Sequence, residues 1–316
     1  MKKIGLLILG FMLLISPTFE STEAAGGGSA NDGTMYELEG LESPVEILVD
    51  EWGIPHIYAD STEDVYFAQG FNAARDRLWQ IDLWRKNGLG ELSEVFGAEY
   101  LEQDRAKRLF LYRGDMEDEW LAYGPETEAI TTSFTDGINA YIKMTEENPD
   151  LLPEEFNILD YEPSQWEAED VVRIRSHGLT RNLTNEVQRA ITIRDHGEDV
   201  ESLRQGLEPD WETTIPEGLD LDSINENILD TYHLGTQEVD FELLTEQLES
   251  GVAAADLTLN EDRDLNAQLE YESNLGSNNW VIDAEKSKTG RPIMADDPHR
   301  GVAVPSLRYI THLSAP

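Results

Sequence analysis

Cysteine is absent from this 316-residue sequence, so neither a disulfide bridge nor attachment of a lipid through a cysteine is possible. Basic residues are scarce: 23 lysines and arginines face 64 aspartates and glutamates, which gives a formal net charge of -41. A surface of this charge repels nucleic-acid phosphates, and we expect no nucleic-acid partner. The longest apolar run falls short of the roughly 20 residues of a membrane-spanning helix, so we expect no stable membrane insertion.

The excess of negative charge predicts an unusual environment. Like charges destabilise a compact chain by mutual repulsion, and concentrated salt relieves this repulsion because the Debye length falls to about 3 Å at 1 M. We therefore interpret the sequence as that of a halophile's protein, with a generally acidic extracellular enzyme as the alternative. Apolar residues make up 40% of the chain, which is enough for a hydrophobic core.

The N-terminus is typical of a secretion signal. Lys2 and Lys3 precede an apolar run over 4–15, which a Ser-Pro pair interrupts and which small residues follow at Ala24 and Ala25. We predict a signal peptide over 1–25 and hence a secreted protein, extracellular or held at the cell surface. The glycine-rich stretch that follows predicts a flexible tether over 26–42.

Hydrophobic periodicity predicts strands and then helices in the next part of the chain. Alternating apolar residues over 45–50 and 54–59 predict a β-hairpin. Ser61 is a candidate N-cap, and apolar residues recur at helical spacing until Asn87 and Gly88, where we predict that the helix ends. Further helices are predicted over 100–120, over 125–148 and from Pro163 through Ile174.

Residues 205–262 contain no lysine or arginine. Prolines, glycines and acidic side chains in this segment predict an acidic, loosely structured surface insert. An ordinary acidic loop with a helix near 241–248 is the alternative interpretation.

A Gly-Ser-Asn-Asn-Trp motif at 276–280 is followed by Asp-Asp-Pro-His-Arg at 296–300. Short strands over 279–283 and 291–295, joined by a polar turn, predict a hairpin with Ser277 at its mouth. Taken alone, the first motif is more simply interpreted as a serine in the turn of an ordinary hairpin. The adjacent carboxylates at 296 and 297 point apart on an extended chain, which favours solvation or capping over metal binding.

The two motifs together resemble the self-cleavage region of the penicillin acylase family, in the branch that carries Asp-Pro-His. A second block, from Val45 to about Phe96, resembles the opening of the family's small subunit. The resemblance implies an α+β fold, that of the N-terminal-nucleophile (αββα) hydrolases, present here mainly as the helical small subunit and the first hairpin of the catalytic sheet. It implies a small subunit over 43–204, an acidic insert and spacer peptide over 205–276, and the start of a truncated large subunit over 277–316.

The same resemblance implies cleavage between Gly276 and Ser277, with Ser277 as the nucleophile and its freed α-amine as the base. An N-terminal α-amine has a pKa of about 7.7–8, so it can take the hydroxyl proton near neutral pH without a separate catalytic triad. His299 is implied to hold and polarise the N-terminal serine, and a solvent-facing histidine is the alternative. The acyl group of the substrate would form an ester on Ser277, which water then hydrolyses.

Two more residues gain a role from the resemblance. Glu186 is implied as a ligand of structural calcium, and a favourable negative charge in the first turn of a helix is the alternative. Arg181 is implied to face the substrate pocket. No cofactor is required for the catalysis itself.

The resemblance also implies a large subunit that continues well beyond the first hairpin and supplies the oxyanion-hole asparagine, a later arginine and the remaining calcium ligands. Two classes of function therefore stay open. The first is a secreted acyl-amide hydrolase precursor, whose processed small and large subunits associate and whose substrates are penicillins, cephalosporin side chains or acyl-homoserine lactones. The second is a non-catalytic fragment or secreted binding module derived from such an enzyme.

We predict that folding depends on molar salt. Raising potassium chloride from about 0.1 M to 1 M shortens the Debye length from about 10 Å to about 3 Å, which removes most of the self-repulsion and should raise the melting temperature. Circular dichroism melts at the two concentrations measure this rise. An osmolyte of matched osmolality is the control. A melting temperature that is flat in salt, or that rises equally with the osmolyte, contradicts the charge explanation.

Overall fold

The structure is a computed structural model, and it describes residues 2–6, 34–174, 182–204, 213–253, 256–259, 276–299, 306 and 308–316. Helices and strands together give an α+β fold, as the sequence predicts. The chain forms two compact units. The first comprises Met1–Glu91, Leu111–Arg175 and Arg308–Pro316, and the second comprises Leu92–Phe110 and Ser176–Leu307.

The elements are numbered in chain order. The strands are β1 (Lys2–Leu6), β2 (Thr34–Tyr36), β3 (Val45–Val49), β4 (Pro55–Tyr58), β5 (Gly276–Ile282), β6 (Ile293–His299) and β7 (His312–Ser314). The α-helices are α1 (Thr62–Leu89), α2 (Ser93–Phe96), α3 (Leu101–Phe110), α4 (Met116–Tyr123), α5 (Thr127–Glu147), α6 (Glu154–Leu159), α7 (Ala168–Arg173), α8 (Leu183–His196), α9 (Glu198–Arg204), α10 (Asp230–Thr236) and α11 (Phe241–Glu249).

The sheet of the first unit has the strand order β2-β1-β3-β4-β7. Strands β3 and β4 form the predicted antiparallel hairpin, in which Ile47 lies opposite Ile57 and both side chains are fully buried. Strand β7 pairs in parallel with β4, with His312 opposite His56. A strand from the end of the sequence therefore joins a sheet whose other strands come from its beginning.

Helices α1 and α5 pack against each other backbone to backbone in the first unit. A Cβ atom added at Gly70 would lie 1.9 Å from the carbonyl oxygen of Phe134, and one added at Gly137 would lie 1.9 Å from that of Phe67. No side chain fits at either glycine, so these two residues set the distance between the helices. Any substitution there would force the helices apart.

Helix α1 begins where the sequence predicts, because the hydroxyl of Ser61 accepts a hydrogen bond from the N–H of Asp64 at 3.1 Å. Its predicted end at Gly88 is wrong. The helix continues past that residue, and Gly90 takes the left-handed cap conformation with φ 71°. Gly88 instead packs against Ile174, since an added Cβ would lie 2.6 Å from that side chain. A glycine needed for close packing thus has the same sequence signature as one that ends a helix.

The single helix predicted over 100–120 is also wrong. Helix α3 ends at Phe110, and α4 begins after Asp115, whose side chain accepts a hydrogen bond from the N–H of Glu117 at 2.9 Å. This N-cap outweighs the apolar periodicity that continues through the break. The helix predicted over 125–148 is confirmed as α5.

Residues 34–42 lie in the predicted tether, and the structure shows them packed. They include strand β2, and Leu38 and Leu41 are buried. The buried carboxylate of Asp64 accepts hydrogen bonds from the backbone N–H groups of Glu42 and Ser43, at 2.8 and 3.1 Å. These bonds join the start of the sheet to the first turn of α1.

The predicted signal peptide overlaps strand β1, which pairs antiparallel with β3 and in parallel with β2. The rest of the predicted signal lies outside the described residues, and secretion stays a prediction. In the part of the chain that the structure describes, no helix combines the length and the apolar character needed to cross a membrane.

The second unit contains packed helices where the sequence predicts a loosely structured insert. Helix α10 packs against α3, and Gly235 makes room for the ring of Phe110, which lies 2.3 Å from where a Cβ would stand. Helix α11 confirms the helix predicted near 241–248. Leu244 and Leu259 are both completely buried. The acidic composition therefore describes the outer face of this segment, whereas Leu229, Leu244, Leu257 and Leu259 are buried.

A buried carboxylate lies between α1 and the chain that leads into α7. Asp82 is fully buried and accepts a hydrogen bond from the N–H of Ser164 at 2.8 Å. Burial raises the pKa of Asp82 to about 6, against the opposing effects of the Ser164 hydrogen bond and the nearby cation of Lys86. The ammonium of Lys86 in turn donates to the Ser164 hydroxyl at 3.1 Å.

We predict that the free energy of unfolding falls with rising pH because of Asp82, and that Asp82→Asn removes this dependence. The folded state binds the Asp82 proton more tightly than the unfolded state, whose pKa is near 3.8, so this group's contribution is lost as pH rises from about 4 through 6. The difference in unfolding free energy between wild type and Asp82→Asn should move by about 2 kcal/mol in favour of the variant between pH 4 and pH 7. Urea denaturation at both pH values measures it. The exposed change Asp150→Asn is the control, and an equal movement in that variant would contradict the assignment to Asp82.

Candidate active site

The hairpin of β5 and β6 carries both sequence motifs in one register. Gly276 lies opposite His299, and Ser277 lies opposite Pro298. Opposite residues of an antiparallel pair have Cα atoms about 4.5–5.5 Å apart. The backbone of His299 therefore runs directly beside the Gly276–Ser277 peptide bond. The hairpin predicted from the sequence is confirmed, and its strands are longer than predicted, so Ser277 lies within β5 near its start.

Side-chain hydrogen bonds fix the turn of this hairpin. The carboxylate of Asp283 accepts from the N–H of Glu285 at 2.8 Å. The hydroxyls of Ser287 and Thr289 lie 2.8 Å apart, and Gly290 takes the left-handed conformation with φ 68°. A turn held this way fixes which residues of β5 and β6 face each other, and hence the pairing beside Ser277.

Both faces of the hairpin are exposed to solvent. Ser277 is exposed, and the apolar side chains of Trp280, Val281 and Met294 are 52%, 70% and 75% exposed. Strand residues alternate between faces, so Trp280 and Val281 lie on opposite sides of the hairpin. Exposed apolar surface on two sides is typical of an element that other strands or a ligand cover.

Glu186 lies in the first turn of α8 and is engaged by two neighbours. Its Oε1 accepts from Nδ2 of Asn182 at 2.8 Å and pairs with Nη1 of Arg189 at 2.7 Å. The buried Arg189 also pairs with Glu201, which Arg204 binds at 2.7 Å. Burial alone would raise the pKa of Glu201, but hydrogen bonds from the two arginines outweigh it and lower that pKa. The four side chains form a chain of alternating charge.

The described residues around Glu186 do not fit a calcium ion. Calcium takes six to eight oxygen ligands, whereas the neighbour of this carboxylate is the guanidinium of Arg189. Nowhere in the described ranges do three acidic, histidine or cysteine side chains gather as they would around a metal ion. The calcium role of Glu186 stays a prediction that depends on oxygen donors from elsewhere. Arg181, the residue predicted to face the substrate pocket, lies outside the described residues.

A polar cluster that the sequence did not indicate joins the end of the chain to α1. The hydroxyl of Tyr309 donates to Oδ2 of Asp76 at 2.5 Å and accepts a hydrogen bond from Nδ2 of the buried Asn72. The guanidinium of Arg77 lies 5.1 Å from the centre of the tyrosine ring. Burial, reinforced by Asp76, raises the pKa of Tyr309, which keeps the hydroxyl protonated and able to donate.

The backbone of α1 departs from helical geometry next to the residues that bind this tyrosine. Arg77 has φ -150° and ψ 34°, which interrupts the helical conformation inside α1. Asn72 and Asp76 stand four residues apart and so share a face of the helix. That spacing is visible in the sequence, but the partner Tyr309 lies more than two hundred residues further on. Sequence patterns alone carry no signal for such a contact.

Comparison with known proteins places this hairpin and these helices in a family. Residues 44–316 match the family described as penicillin amidase. The match covers most of the chain, and the chain belongs to the penicillin amidase family. Its fold class is therefore that of the N-terminal-nucleophile hydrolases, as the motifs predict.

Individual relatives are similar over a limited part of their length. Penicillin acylase 2 proenzyme of Pseudomonas sp. (strain SE83) is 28% identical over 292 residues, which cover 88% of this chain and 33% of that protein. Penicillin G acylase of Escherichia coli is 34% identical over 137 residues, 43% of this chain and 16% of that protein. Acyl-homoserine lactone acylase QuiP of Pseudomonas aeruginosa is 26% identical over 290 residues, which cover 89% of this chain and 31% of that protein. The chain thus spans about a third of the length of the relatives that it matches most extensively.

A solved structure is also similar to this chain. The thermostable penicillin G acylase from Alcaligenes faecalis is 26% identical, with a TM-score of 0.45, and the match covers 56% of this chain and 96% of that one.

We predict that Tyr309→Phe destabilises the first unit. The substitution removes a hydrogen bond to a carboxylate and one from a buried amide, so the unfolding free energy should fall by about 2 kcal/mol. Urea denaturation in molar potassium chloride measures the change. Tyr58→Phe, at a residue that is 40% exposed, is the matched control and should change stability by less than about 0.5 kcal/mol. Equal effects of the two substitutions would contradict the role of the cluster.

Proposed function

We propose that this chain belongs to a secreted precursor of an acyl-amide hydrolase, which cleaves itself between Gly276 and Ser277 and then uses Ser277 as its nucleophile. The observation that carries the proposal is the position of the Gly-Ser pair at the start of β5, opposite His299 and Pro298. Membership of the penicillin amidase family supports it. So does the name of a relative, which describes that protein as a proenzyme.

Self-cleavage needs a nucleophile next to a flexible carbonyl. The hydroxyl of Ser277 attacks the carbonyl carbon of Gly276, the C–N bond breaks, and the acyl group moves to the serine oxygen as an ester. Water then hydrolyses this ester and leaves a carboxyl group on Gly276 and a free α-amine on Ser277. Glycine at 276 supports this step, because its backbone reaches conformations that other residues adopt only with strain.

The freed serine then carries both the nucleophile and the base. Its α-amine, with a pKa of about 7.7–8, takes the proton from its own hydroxyl as the oxygen attacks the amide carbonyl of the substrate. The amine base next returns that proton to the leaving nitrogen, and the acyl group stays on Ser277 as an ester. Water attacks the ester with the same α-amine as base, which releases the carboxylic acid and restores the enzyme.

His299 fits a positioning role in this scheme. Its backbone lies opposite Gly276, so cleavage creates the new α-amine, on Ser277, one residue pair along the hairpin from His299. A neutral imidazole can accept a hydrogen bond from an amine or a hydroxyl and so fix the direction of the serine hydroxyl. We propose that His299 holds the N-terminal serine in this way.

The processed chains would remain together through contacts of the first unit. Residues after the cleavage site supply β7, which pairs with β4 through three registered residue pairs. They also supply Tyr309, which the side chains of Asp76 and Asn72 bind on α1. We propose that these contacts hold the start of the large subunit on the small subunit after the peptide bond breaks.

The substrate class follows from the proposed chemistry and from the relatives. Those relatives are named as acylases of penicillins and of acyl-homoserine lactones, and an acyl amide is the bond that such names share. We therefore propose a small-molecule acyl amide as the substrate. The apolar N-terminal run and the net charge of -41 support a secreted location and a high-salt environment, which we also propose. Structural calcium is part of the proposal with oxygen donors from outside the described residues, because those around Glu186 do not fit the ion. Oxyanion donors typically contribute about 10²–10³ in rate, and we propose that residues beyond this hairpin supply them.

We predict that the precursor, expressed from its complete reading frame, yields a chain that begins at Ser277. Intact-mass spectrometry measures the new N-terminus. Ser277→Ala should abolish the cleavage, because no hydroxyl remains to attack Gly276. Ser250→Ala, at an exposed serine outside the hairpin, is the control and should be processed normally. Cleavage that survives Ser277→Ala would defeat the mechanism, and an unprocessed wild-type protein would favour a non-catalytic binding module.

A further inference from the structure

Residues 213–259 belong to the stretch that the sequence predicts as an acidic insert and spacer, yet they make specific contacts with the helices before them. The hydroxyl of Tyr100 donates to the carbonyl of Leu257 at 2.8 Å and accepts from the N–H of Leu259 at 3.1 Å. The Tyr100 hydroxyl thereby satisfies both a backbone donor and a backbone acceptor of the same segment. Two hydrogen bonds to one side chain fix the position of the segment along the chain.

A buried lysine makes a second attachment. Lys107 of α3 is 1% exposed, and its ammonium donates to the backbone carbonyl of Gln237 just after α10. Burial lowers the pKa of Lys107 to about 8, with the charge of Glu238 opposing the shift. A buried cation needs its acceptors, so α3 depends on residues 237 and 238 as much as they depend on α3.

The segment from 240 to 259 is closed on itself. The N–H of Asp240 donates to the carbonyl of Leu259 at 2.7 Å, and the Asp240 carboxylate caps α11 by accepting from the N–H of Leu243 at 3.0 Å. The side-chain amide of Gln247 binds the carbonyl and the N–H of Thr258 at 2.8 and 2.9 Å. Helix α11 and the described residues 256–259 are therefore joined by three hydrogen bonds.

Apolar burial and the upstream half of the segment complete the attachment. Leu229 is 1% exposed and packs against Val187 of α8. The guanidinium of Arg194, also on α8, donates to the carbonyl of Ile224. Removing the segment would uncover these leucines and strip the buried polar groups of their partners, which native proteins avoid.

We propose that residues 213–259 are a permanent element of the small subunit, and that any spacer peptide removed during processing is confined to residues 260–276. The proposal depends on the proposed self-cleavage at Ser277, which creates the processed small subunit. The family resemblance places the spacer within 235–276, and the proposal narrows it to 260–276. The processed small subunit should accordingly end after Leu259, with Tyr100 and Lys107 as the residues that retain its last segment.

The first test is the mass of the processed small subunit in the protein expressed from its complete reading frame. A C-terminus at or beyond Leu259 supports the proposal, and a C-terminus before Leu259 overturns it. The result is independent of the large subunit's N-terminus, so an error in the Ser277 assignment would be recognised separately.

The second test needs no self-cleavage. In a chain that carries Ser277→Ala, recognition sites for a salt-tolerant, sequence-specific protease replace residues within 205–212 and within 261–275. After both cuts, confirmed on a denaturing gel, size-exclusion chromatography in molar potassium chloride should show the fragment with 213–259 eluting together with the rest. A fragment that elutes alone overturns the proposal.

Substitutions at the contact residues test whether these contacts retain the fragment. Tyr100→Phe removes both of its hydrogen bonds to the segment and should speed release of the fragment about tenfold. Leu244→Asp places a charge in the buried site and should release the fragment outright. Glu246→Gln is the control. Glu246 lies two residues after Leu244 on the exposed face of α11, and its substitution should leave retention of the fragment unchanged. Equal retention in all of these variants would show that these contacts do not hold the segment.

Discussion

The contact between α1 and α5 is the constraint on which the first unit depends. Gly70 and Gly137 let the two backbones touch, and a contact without side chains leaves little freedom for adjustment. Once α1 is fixed, its polar residues reach three other parts of the unit. Asp64 binds the chain that leads into β3, Asp82 binds the chain before α7, and Asp76 binds Tyr309 near the end of the sequence. The buried carboxylates of Asp64 and Asp82 tolerate small displacements poorly, because each must stay within hydrogen-bond distance of its donors.

The sequence predicted those elements whose signals are local. The β3–β4 hairpin, the start of α1 at Ser61, helix α5 and the hairpin around Ser277 all follow from alternation, capping or turn chemistry, and the structure confirms them. The errors came from residues with two uses. Gly88 was interpreted as a helix end, whereas it serves close packing. In the segment 213–259, the acidic composition concealed leucines that are buried, because composition averages over the two faces of each element.

The predictions for the candidate active site also divide into those with a local signal in the sequence and those without one. The register that sets His299 beside Gly276 follows from the hairpin alone, so sequence could predict it. The pairing of Glu186 with Arg189 also has a visible signal, since the two residues stand three apart on a helix. Glu201 and Tyr309 join their clusters through contacts distant in sequence, and a single sequence does not encode such contacts in any local pattern. For the roles of Ser277, His299, Glu186 and Arg181, the chemistry of the motifs remains the argument.

The parallel pairing of β7 with β4 affects how the protein could recover from damage. In an intact chain the two strands are tethered to each other, so their encounter is intramolecular and only loop-closure entropy opposes it. A break between residues 276 and 277 would remove that tether, and the two strands would then have to find each other at the concentrations of separate molecules. The pairing of β7 with β4 would persist until the sheet first opened. Once β7 had dissociated, it would pair again slowly or be degraded before it did so. Durability after such a break would therefore be set by the rate of opening, and less by the equilibrium between folded and unfolded forms.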